Sequence, residues 1–200
     1  VGVSLEKLDK AVKDFGMPVG PVTLADEVGI DVTSNVAKFL SNSDLGVRME
    51  GGDITLMENM ISKGWLGKKS GQGFYTYGKK KNEKTISPQV TNYLKDFVVR
   101  DLNLDIEEIQ NRIISRFVNE AAKCLEDEII GNPIVGDIGL VFGTGFAPFR
   151  GGPFRYLDQF GVAKYVDMMS AFTEKYGQQF EPCQLLKDYA TTNKKFHSKQ

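Results

Sequence analysis

The chain has 200 residues, a formal net charge of −1 at pH 7, 41% hydrophobic residues and 26% charged residues. This apolar fraction supports a packed core, and the near-zero charge without a long basic face argues against nucleic acid as the main partner. No apolar run approaches the length that spans a bilayer, and one histidine with two distant cysteines gives no metal-site spacing.

The stretch from Gly143 to Gly161 alternates glycine, proline and aromatic residues. Glycine and proline disfavour a helix interior, and the aromatic residues disfavour a solvated linker. The pattern therefore predicts a buried, fixed turn, with a new helix beginning at Pro153.

Cys124 falls on the apolar side of a helical pattern and is interpreted as a buried free thiol.

A similar pattern occurs earlier, where Gly20–Gly29 matches Gly152–Gly161 at Gly, Pro, Asp and Gly with a constant offset. Four matches at one offset favour a duplicated unit over chance. The carboxylates of Asp26 and Asp158 occupy matching positions. We expect them to bond backbone amides rather than to act as an acid or base.

In chain order, Ser4 predicts the cap of a first helix over residues 5–14, and Pro21 begins a second helix that runs toward Val28. Asp31 is predicted to cap a third helix. The spacing of the apolar residues gives this helix an apolar face made of Val32, Val36, Phe39 and Leu40.

Asp53 is predicted to cap a short helix whose inward residues are Leu56, Met57, Met60 and Ile61.

The glycines of residues 64–78 prevent a helix, and the aromatic residues favour an extended run. Lys68 and Lys69 in this glycine-rich stretch suggest a phosphate site as one alternative. A structural loop held by its aromatic residues is favoured, because no helix start follows.

Residues 79–84 are basic and are predicted to link two halves of the chain. Ser87 and Pro88 then begin a helix with an apolar face of Val90, Leu94, Phe97 and Val98. Asp105 is predicted to cap the longest helix, which runs to about Glu128 as the central pillar of the second half.

Asp137 is predicted to cap the next helix. Two amphipathic helices follow, the first with Val162, Val166, Met169 and Phe172 inward, and the second with Leu185, Leu186 and Tyr189 inward. Residues 191–200 are polar and are expected to fray, so His197 is not expected to be functional.

Candidate chemistry is sparse. Gly143 and Gly145 follow no predicted strand and lack a third glycine, so they do not form a dinucleotide-binding loop. Asn119 and Glu120 lie in the middle of the long helix. They either brace a neighbouring segment or face a site, and bracing is favoured. From its residues alone, the chain is predicted to be a helical platform without an active centre of its own.

These elements predict an all-α protein made of two tandem related helical bundles, with a short extended or hairpin piece near residues 72–77. The predicted organisation is a first, N-terminally truncated repeat over residues 1–80, a linker over 81–86, a second repeat over 87–190, and a flexible tail over 191–200.

The motifs also resemble a known family. Residues 16–31 and 69–77 are similar to the C-terminal domain of 3-hydroxyacyl-CoA dehydrogenases, and residues 112–126 and 143–161 resemble the second copy in multifunctional fatty-acid oxidation enzymes. Residues 182–196 are similar to the end of the mitochondrial trifunctional enzyme α subunit. The resemblance implies the helical fold of the 6-phosphogluconate dehydrogenase C-terminal domain.

The resemblance implies that the parent enzyme oxidises an L-3-hydroxyacyl-CoA with NAD. In the family, NAD and the catalytic His, Glu and Ser residues belong to a preceding Rossmann domain. The substrate-contacting Asn of the first repeat would precede Val1, and its second-repeat counterpart, Asn119, would be structural. The turn bordering the acyl-pantetheine arm corresponds to Pro18, Gly20 and Leu24, which are the predicted substrate-binding residues. No catalytic, cofactor-binding or metal residue is predicted within this chain.

The resemblance further implies an enoyl-CoA hydratase (lyase) domain, a thiolase β subunit as partner in an oligomeric complex, and a location on the matrix side of the mitochondrial inner membrane. Two hypotheses follow. The chain is part of a β-oxidation dehydrogenase that is inactive alone, or it is a stand-alone helical assembly or acyl-CoA-binding module. The start at Val1 within a repeat favours the first hypothesis.

Overall fold

The computed structural model describes residues 2–43, 54–78, 83–96 and 104–197. The chain divides into two compact units, one made of residues 1–13 and 19–109, the other of residues 14–18 and 110–200. Helices dominate the described part of both units, which confirms the all-α prediction.

The first unit contains one small hairpin and most of the shorter helices. Its elements are α1 (Leu5–Phe15, whose last two residues belong to the second unit), α2 (Pro21–Val28), α3 (Ile30–Ser41), α4 (Thr55–Ser62), β1 (Tyr75–Tyr77), β2 (Lys84–Ile86) and α5 (Pro88–Leu94). The two strands pair antiparallel, with Tyr75 opposite Ile86 and Tyr77 opposite Lys84. This hairpin confirms the predicted extended piece.

The regular elements among the described residues of the second unit are all helices. Its elements are α6 (Ile106–Glu126, whose first turn lies in the first unit), α7 (Pro133–Thr144), α8 (Pro153–Phe160), α9 (Val162–Tyr176) and α10 (Gln184–Thr192). As predicted, α6 is the longest helix described, and it contributes Ile114, Val118, Ala121 and Ala122 to the buried core.

Three predicted helix caps are confirmed. The side-chain oxygens of Ser4, Ser87 and Asp105 accept backbone N–H groups three residues later, at 3.2, 3.3 and 2.6 Å. Such a bond pairs one of the amide donors that the first turn of a helix leaves without an intrahelical acceptor.

Two predicted caps are wrong. Helix α3 begins at Ile30, directly after Gly29, so Asp31 lies inside it. Helix α7 is capped by Asn132, which accepts the Val135 N–H at 3.0 Å, and Asp137 therefore lies within the helix. In both cases an earlier turn residue begins the helix. The predicted cap at Asp53 falls outside the described residues, as do Phe97 and Val98.

The core of the first unit forms around three completely buried side chains, Ile30, Met60 and Val90. Leu56, Met57 and Ile61 pack against them, which confirms the predicted inward side of α4. In the second unit, Phe146, Phe154, Leu157, Met169 and Leu186 are fully buried. Within residues 143–161, Phe146, Phe154 and Leu157 are buried as predicted, whereas Phe149 is 73% exposed.

The predicted linker and tail differ from the structure. Lys84, within the linker, belongs to β2, and residues 79–82 lie outside the described residues. Fraying is a wrong prediction for Phe196 and His197: the Phe196 side chain is 8% exposed, and both backbone N–H groups bond to Asp158. The aromatic anchor Phe196 and the partly buried acceptor Asp158 outweigh the polar composition of this segment. The boundaries of the two repeats stay predictions.

Candidate functional site

A buried carboxylate holds the first Gly-Pro corner. Asp9, on α1, accepts the backbone N–H groups of Val22 at 2.8 Å and of Thr23 at 3.2 Å, at the beginning of α2. Gly20 is required here, because a Cβ at this position would lie 2.4 Å from the Asp9 Cα. The corner thus brings a negative charge to the positive end of a helix.

A second carboxylate organises the loop after Gly67. Asp26 is completely buried and accepts the N–H groups of Phe74 at 2.8 Å and Tyr75 at 2.9 Å, together with the Tyr77 hydroxyl at 2.9 Å. Burial raises the pKa of Asp26, and these hydrogen bonds oppose the rise. The predicted backbone-bonding role of Asp26 is confirmed.

The second unit repeats both arrangements. Asp137 on α7 accepts the Phe154 N–H at 2.8 Å, at the beginning of α8. Asp158 accepts the N–H groups of Phe196 and His197, both at 2.8 Å, as its predicted backbone-bonding role requires. Gly152 has a φ of 105°, and a Cβ there would lie 2.5 Å from the Asp137 Cβ.

The two Gly-Pro corners therefore have equivalent surroundings. Asp9 corresponds to Asp137, and Asp26 corresponds to Asp158. In each unit, the residue that follows Phe74 or Phe196 also contacts Asp9 or Asp137 through its side chain. That residue is Tyr75 in the first unit, with a hydroxyl 2.8 Å from Asp9, and His197 in the second, 2.7 Å from Asp137. The duplication accounts for this correspondence. The constant sequence offset had matched Asp26 with Asp158, but it had not identified Asp9 or His197 as part of the repeated arrangement.

Helices α2 and α3 expose apolar side chains in the first unit. Leu24 and Val28 on α2 are 47% and 48% exposed, and the exposed residues on α3 are Val32, Val36 and Phe39, at 43%, 52% and 73%. We call these five residues the α2–α3 apolar surface. An apolar helical stripe ordinarily turns toward the core. In α3 the core side is instead formed by Ile30 and Ser34, at 0% and 1% exposure.

The lysines beside this surface are paired with carboxylates. Lys68 lies 3.2 Å from Glu27, and Lys69 lies 2.5 Å from Asp31, where its hydrogen bond lowers the pKa of Asp31. A phosphate at Lys68 and Lys69 would have to displace these carboxylates. The geometry favours the structural alternative for the 64–78 loop.

The three predicted substrate residues lie in different settings. Pro18 is exposed and belongs to the second unit, whereas Gly20 and Leu24 belong to the first. Gly20 is buried against Asp9, so packing already accounts for its glycine. Leu24 lies within the α2–α3 apolar surface and is available for contact. The substrate role of all three stays a prediction.

The polar residue in α6 braces a neighbouring segment. The Asn119 side chain donates to the Glu181 carbonyl at 3.0 Å and accepts the Cys183 N–H at 2.9 Å. Both hydrogen bonds join α6 to the turn before α10. This geometry agrees with the bracing role that was favoured for Asn119. Cys124 forms no disulfide and is only partly buried, so its interpretation as a buried thiol is wrong.

Helix α7 exposes a second set of apolar side chains. Ile134, Val135 and Ile138 are 56–57% exposed, and Phe142 is 86% exposed. We call these four residues the α7 apolar surface. Its members at 134, 138 and 142 lie one helical turn apart and share a face.

The described residues do not fit a dinucleotide. Gly145 ends α7 with a φ of 73°, and the β1–β2 hairpin leads into no glycine-rich helix start. In the described part of the chain, no group of three His, Cys, Asp or Glu side chains converges as metal ligands would. No helix among residues 2–43, 54–78, 83–96 and 104–197 is both long and apolar enough to span a bilayer.

The profile of the family described as "3-hydroxyacyl-CoA dehydrogenase, C-terminal domain" matches residues 1–77 and 109–199. The chain belongs to this dehydrogenase family. It is 44% identical over 193 residues to the fatty acid oxidation complex subunit alpha of Vibrio vulnificus, and 41% identical over 196 residues to that of Shewanella baltica. These alignments cover 96% and 98% of this chain, but only 26% and 27% of the relatives.

Two solved structures share the fold. The dehydrogenase part of multifunctional enzyme 1 from C. elegans has a TM-score of 0.66 at 18% identity, covering 94% of this chain and 42% of that one. The 3-hydroxybutyryl-CoA dehydrogenase from Escherichia coli has a TM-score of 0.67 at 17% identity, covering 95% and 55%. At these identities the likeness concerns the fold alone.

The comparisons correct one expectation. The two relatives come from Vibrio and Shewanella, which are bacteria and have no mitochondria. The predicted mitochondrial location is therefore wrong. The relatives are by name subunits of fatty acid oxidation complexes. For this chain, the family match confirms the resemblance at the level of the dehydrogenase family.

Proposed function

We propose that this chain is the helical part of a multifunctional fatty-acid β-oxidation enzyme, and that the whole enzyme oxidises L-3-hydroxyacyl-CoA to 3-ketoacyl-CoA with NAD. The observation that carries the proposal is the family match across both units, combined with a chain about a quarter as long as its relatives. NAD, the catalytic residues and an enoyl-CoA hydratase activity are assigned to other parts of the polypeptide.

The α2–α3 apolar surface is the wall that this chain offers to the substrate. Leu24 and Val28 are aliphatic, half exposed and held by a helix whose beginning is fixed by Asp9. A rigid aliphatic surface suits the apolar portion of an acyl-CoA, and burying such side chains against it releases water. Pro18 and Gly20 are further residues that the family resemblance proposes for substrate contact.

The test uses the complete polypeptide that contains this chain. Leu24→Ser should raise the KM for L-3-hydroxyacyl-CoA about tenfold, because removing buried aliphatic groups costs ~1–2 kcal/mol. The matched control is Ile134→Ser, which removes an exposed aliphatic side chain from α7. An equal KM for Leu24→Ser and Ile134→Ser would reject the α2–α3 assignment. An absence of dehydrogenase activity in the unmodified complete polypeptide would reject the proposed function.

We further propose that the α7 apolar surface contacts a partner subunit, with a thiolase β subunit as the partner that the family resemblance implies. The supporting observation is the difference between equivalent helices. Ile134 and Ile138 of α7 align with Glu6 and Lys10 of α1 when Asp137 is placed on Asp9. Charged residues at such positions suit solvent, whereas exposed aliphatic residues suit a protein interface.

Co-purification of the complete polypeptide with the thiolase subunit tests this partner. Ile138→Asp should reduce the recovered thiolase about tenfold or more, because it places a charge in an apolar contact. Val36→Asp places the same charge on the α2–α3 apolar surface and should leave recovery unchanged. Equal recovery with both variants would remove α7 from the interface.

The alternative function is a stand-alone helical assembly or acyl-CoA-binding module. Calorimetric titration of the 200-residue chain with acyl-CoA separates the two functions. Tight binding by this chain alone, with no gain when the rest of the polypeptide is present, would favour the module.

A further inference from the structure

Two carboxylates anchor the segment Asn193–His197 in the second unit. Asp158 accepts the backbone N–H groups of Phe196 and His197, and the His197 Nε2 lies 2.7 Å from Asp137 Oδ2. The Phe196 ring stacks on Tyr189 with centroids 4.3 Å apart. We call this segment the 193–197 clasp.

The clasp closes over the beginning of α8. The rings of Phe196 and Phe154 lie 5.1 Å apart, and the Asp137 carboxylate that meets His197 also accepts the Phe154 N–H. The Asp137 side chain is 4% exposed and that of His197 is 13% exposed. One buried carboxylate therefore joins the clasp to the Gly-Pro corner.

The first unit builds the same contact with a different donor. Tyr75 follows Phe74 as His197 follows Phe196, and its hydroxyl donates to Asp9 at 2.8 Å. A tyrosine hydroxyl stays neutral up to about pH 10, and an imidazole gains or loses its charge near pH 6.5. Burial and the nearby Asp9 raise the pKa of Tyr75 further. The duplication thus supplies a proton-insensitive version of the contact within the same chain.

Helices α7 and α8 supply the charged groups that bond to His197. Asp137 belongs to α7 and Asp158 to α8, while Arg155 of α8 contributes a backbone hydrogen bond to Asp137. On the clasp itself, the Lys194 ammonium lies 4.7 Å from the centroid of the Tyr189 ring, on α10. Both groups bonded directly to His197 are carboxylates.

We propose that the 193–197 clasp is a proton-dependent latch, tight when His197 is charged and looser when it is neutral. The equivalent Tyr75 contact of the first unit does not depend on protonation in this way. The imidazolium gives the buried Asp137 carboxylate a charge-assisted hydrogen bond, and the neutral ring gives it only a neutral donor. Anchoring should therefore weaken as the pH rises through the titration of the ring. Burial raises the pKa of Asp137, so protonation of this carboxyl ends the ionic contact at acidic pH.

The chain contains one histidine, which makes the experiment direct. The ring is titrated by NMR, and amide exchange of Phe196 and His197 is measured from pH 5.5 to 8.5 and corrected for intrinsic rates. We expect the protection of both amides from exchange to fall about fivefold as the pH rises. The midpoint of this fall should coincide with the midpoint of the ring titration. A pH-independent protection factor would overturn the proposal.

Two variants separate the charge from packing. His197→Tyr copies the first unit, and His197→Gln keeps an N–H donor that does not titrate. Protection should be independent of pH in either variant that folds, and a fall equal to that of the unmodified chain would overturn the proposal. Tyr75→His should transfer the pH dependence to the amides of Phe74 and Tyr75, and its absence in a folded variant would also count against the latch.

Discussion

At the scale of single residues, four aspartates each join their own helix to another segment of the same unit. Asp9 and Asp26 in the first unit, and Asp137 and Asp158 in the second, each accept backbone N–H groups from a segment distant in sequence. A carboxylate can accept several such bonds at once, and bonds to a charged acceptor contribute more than neutral ones. Each of these carboxylates therefore holds a second segment of the chain against its own helix.

Asp26→Asn should destabilise the chain by about 1–3 kcal/mol. Asparagine offers one acceptor oxygen, so the N–H of Phe74 or Tyr75 is left facing an amide donor. Urea denaturation followed by circular dichroism measures the change. The adjacent Glu27→Gln removes only an exposed ion pair with Lys68 and should stay within ~1 kcal/mol. Similar losses for both variants would show that Asp26 has no special role.

The effect of Asp26→Asn should also depend on pH. Because burial raises the pKa of Asp26, the folded chain holds this proton at pH values where the unfolded chain has released it. The unfolding free energy therefore falls as the pH rises from the ordinary carboxyl pKa through the raised one. The loss caused by Asp26→Asn should then be smaller at pH 7 than at pH 3. A loss that grows with pH in parallel denaturation series would contradict this assignment.

Gly20→Ala should destabilise the chain by about 1–3 kcal/mol through overpacking. The φ of Gly20 is −79°, which alanine adopts freely, so the cost comes from the Cβ meeting the Asp9 backbone at 2.4 Å. Gly139→Ala is the matched control. It lies in α7 with open space around its Cβ, and it should stabilise by ~0.5–1 kcal/mol. Thermal unfolding of both variants separates contact from helix propensity.

At the scale of elements, α3 has two apolar sides with different roles. Ile30 is completely buried beside Met60 and Val90, whereas Val36 and Phe39 are exposed. Hydrophobic periodicity identified α3 as a helix, but it indicated the exposed stripe as the apolar face. Periodicity reports where apolar residues lie on a helix and does not report which neighbour covers them.

Ile30→Ala should cost about 2–5 kcal/mol, as expected for truncating a buried aliphatic side chain. Val36→Ser, on the other side of the same helix, should change stability by only ~0.5 kcal/mol. Guanidinium denaturation of the two variants provides the comparison. A large loss for Val36→Ser would mean that the α2–α3 apolar surface is structural in this chain rather than available for contact.

At the scale of the whole molecule, the chain is a pair of helical units with matching corners. Each unit has its own fully buried residues, centred on Met60 in the first and on Phe154 and Leu157 in the second. The described residues supply rigid surfaces and a latch, and they provide no arrangement that fits a nicotinamide cofactor. Under the proposed function, the chemistry of the dehydrogenase family belongs to other parts of the enzyme.

The 200-residue chain by itself should neither bind NADH nor reduce NAD with L-3-hydroxyacyl-CoA. Fluorescence titration and absorbance at the nicotinamide band measure these two properties, with circular dichroism to confirm that the chain is helical. The complete polypeptide is the positive control. Saturable NADH binding by this chain would place a cofactor site within the two units and would refute the division of labour.

Much of the fold followed from the sequence. The helix starts at Ser4, Ser87 and Asp105 were predicted because capping is local, with the acceptor three residues before its donor. The glycine and proline punctuation predicted both corners, and the family resemblance predicted the dehydrogenase class. These features depend on neighbours within a few positions, or on a motif whose residues are contiguous.

Only the tertiary structure decided which distant groups meet. Asp137 was predicted as a cap for its own helix, but it bonds the beginning of the next one. His197, in a polar segment expected to fray, lies against that same carboxylate. The outward direction of Val36 and Phe39 was likewise undecided by spacing. Such contacts join residues dozens of positions apart, and their free energy depends on burial and geometry, which a linear pattern of residue types does not contain.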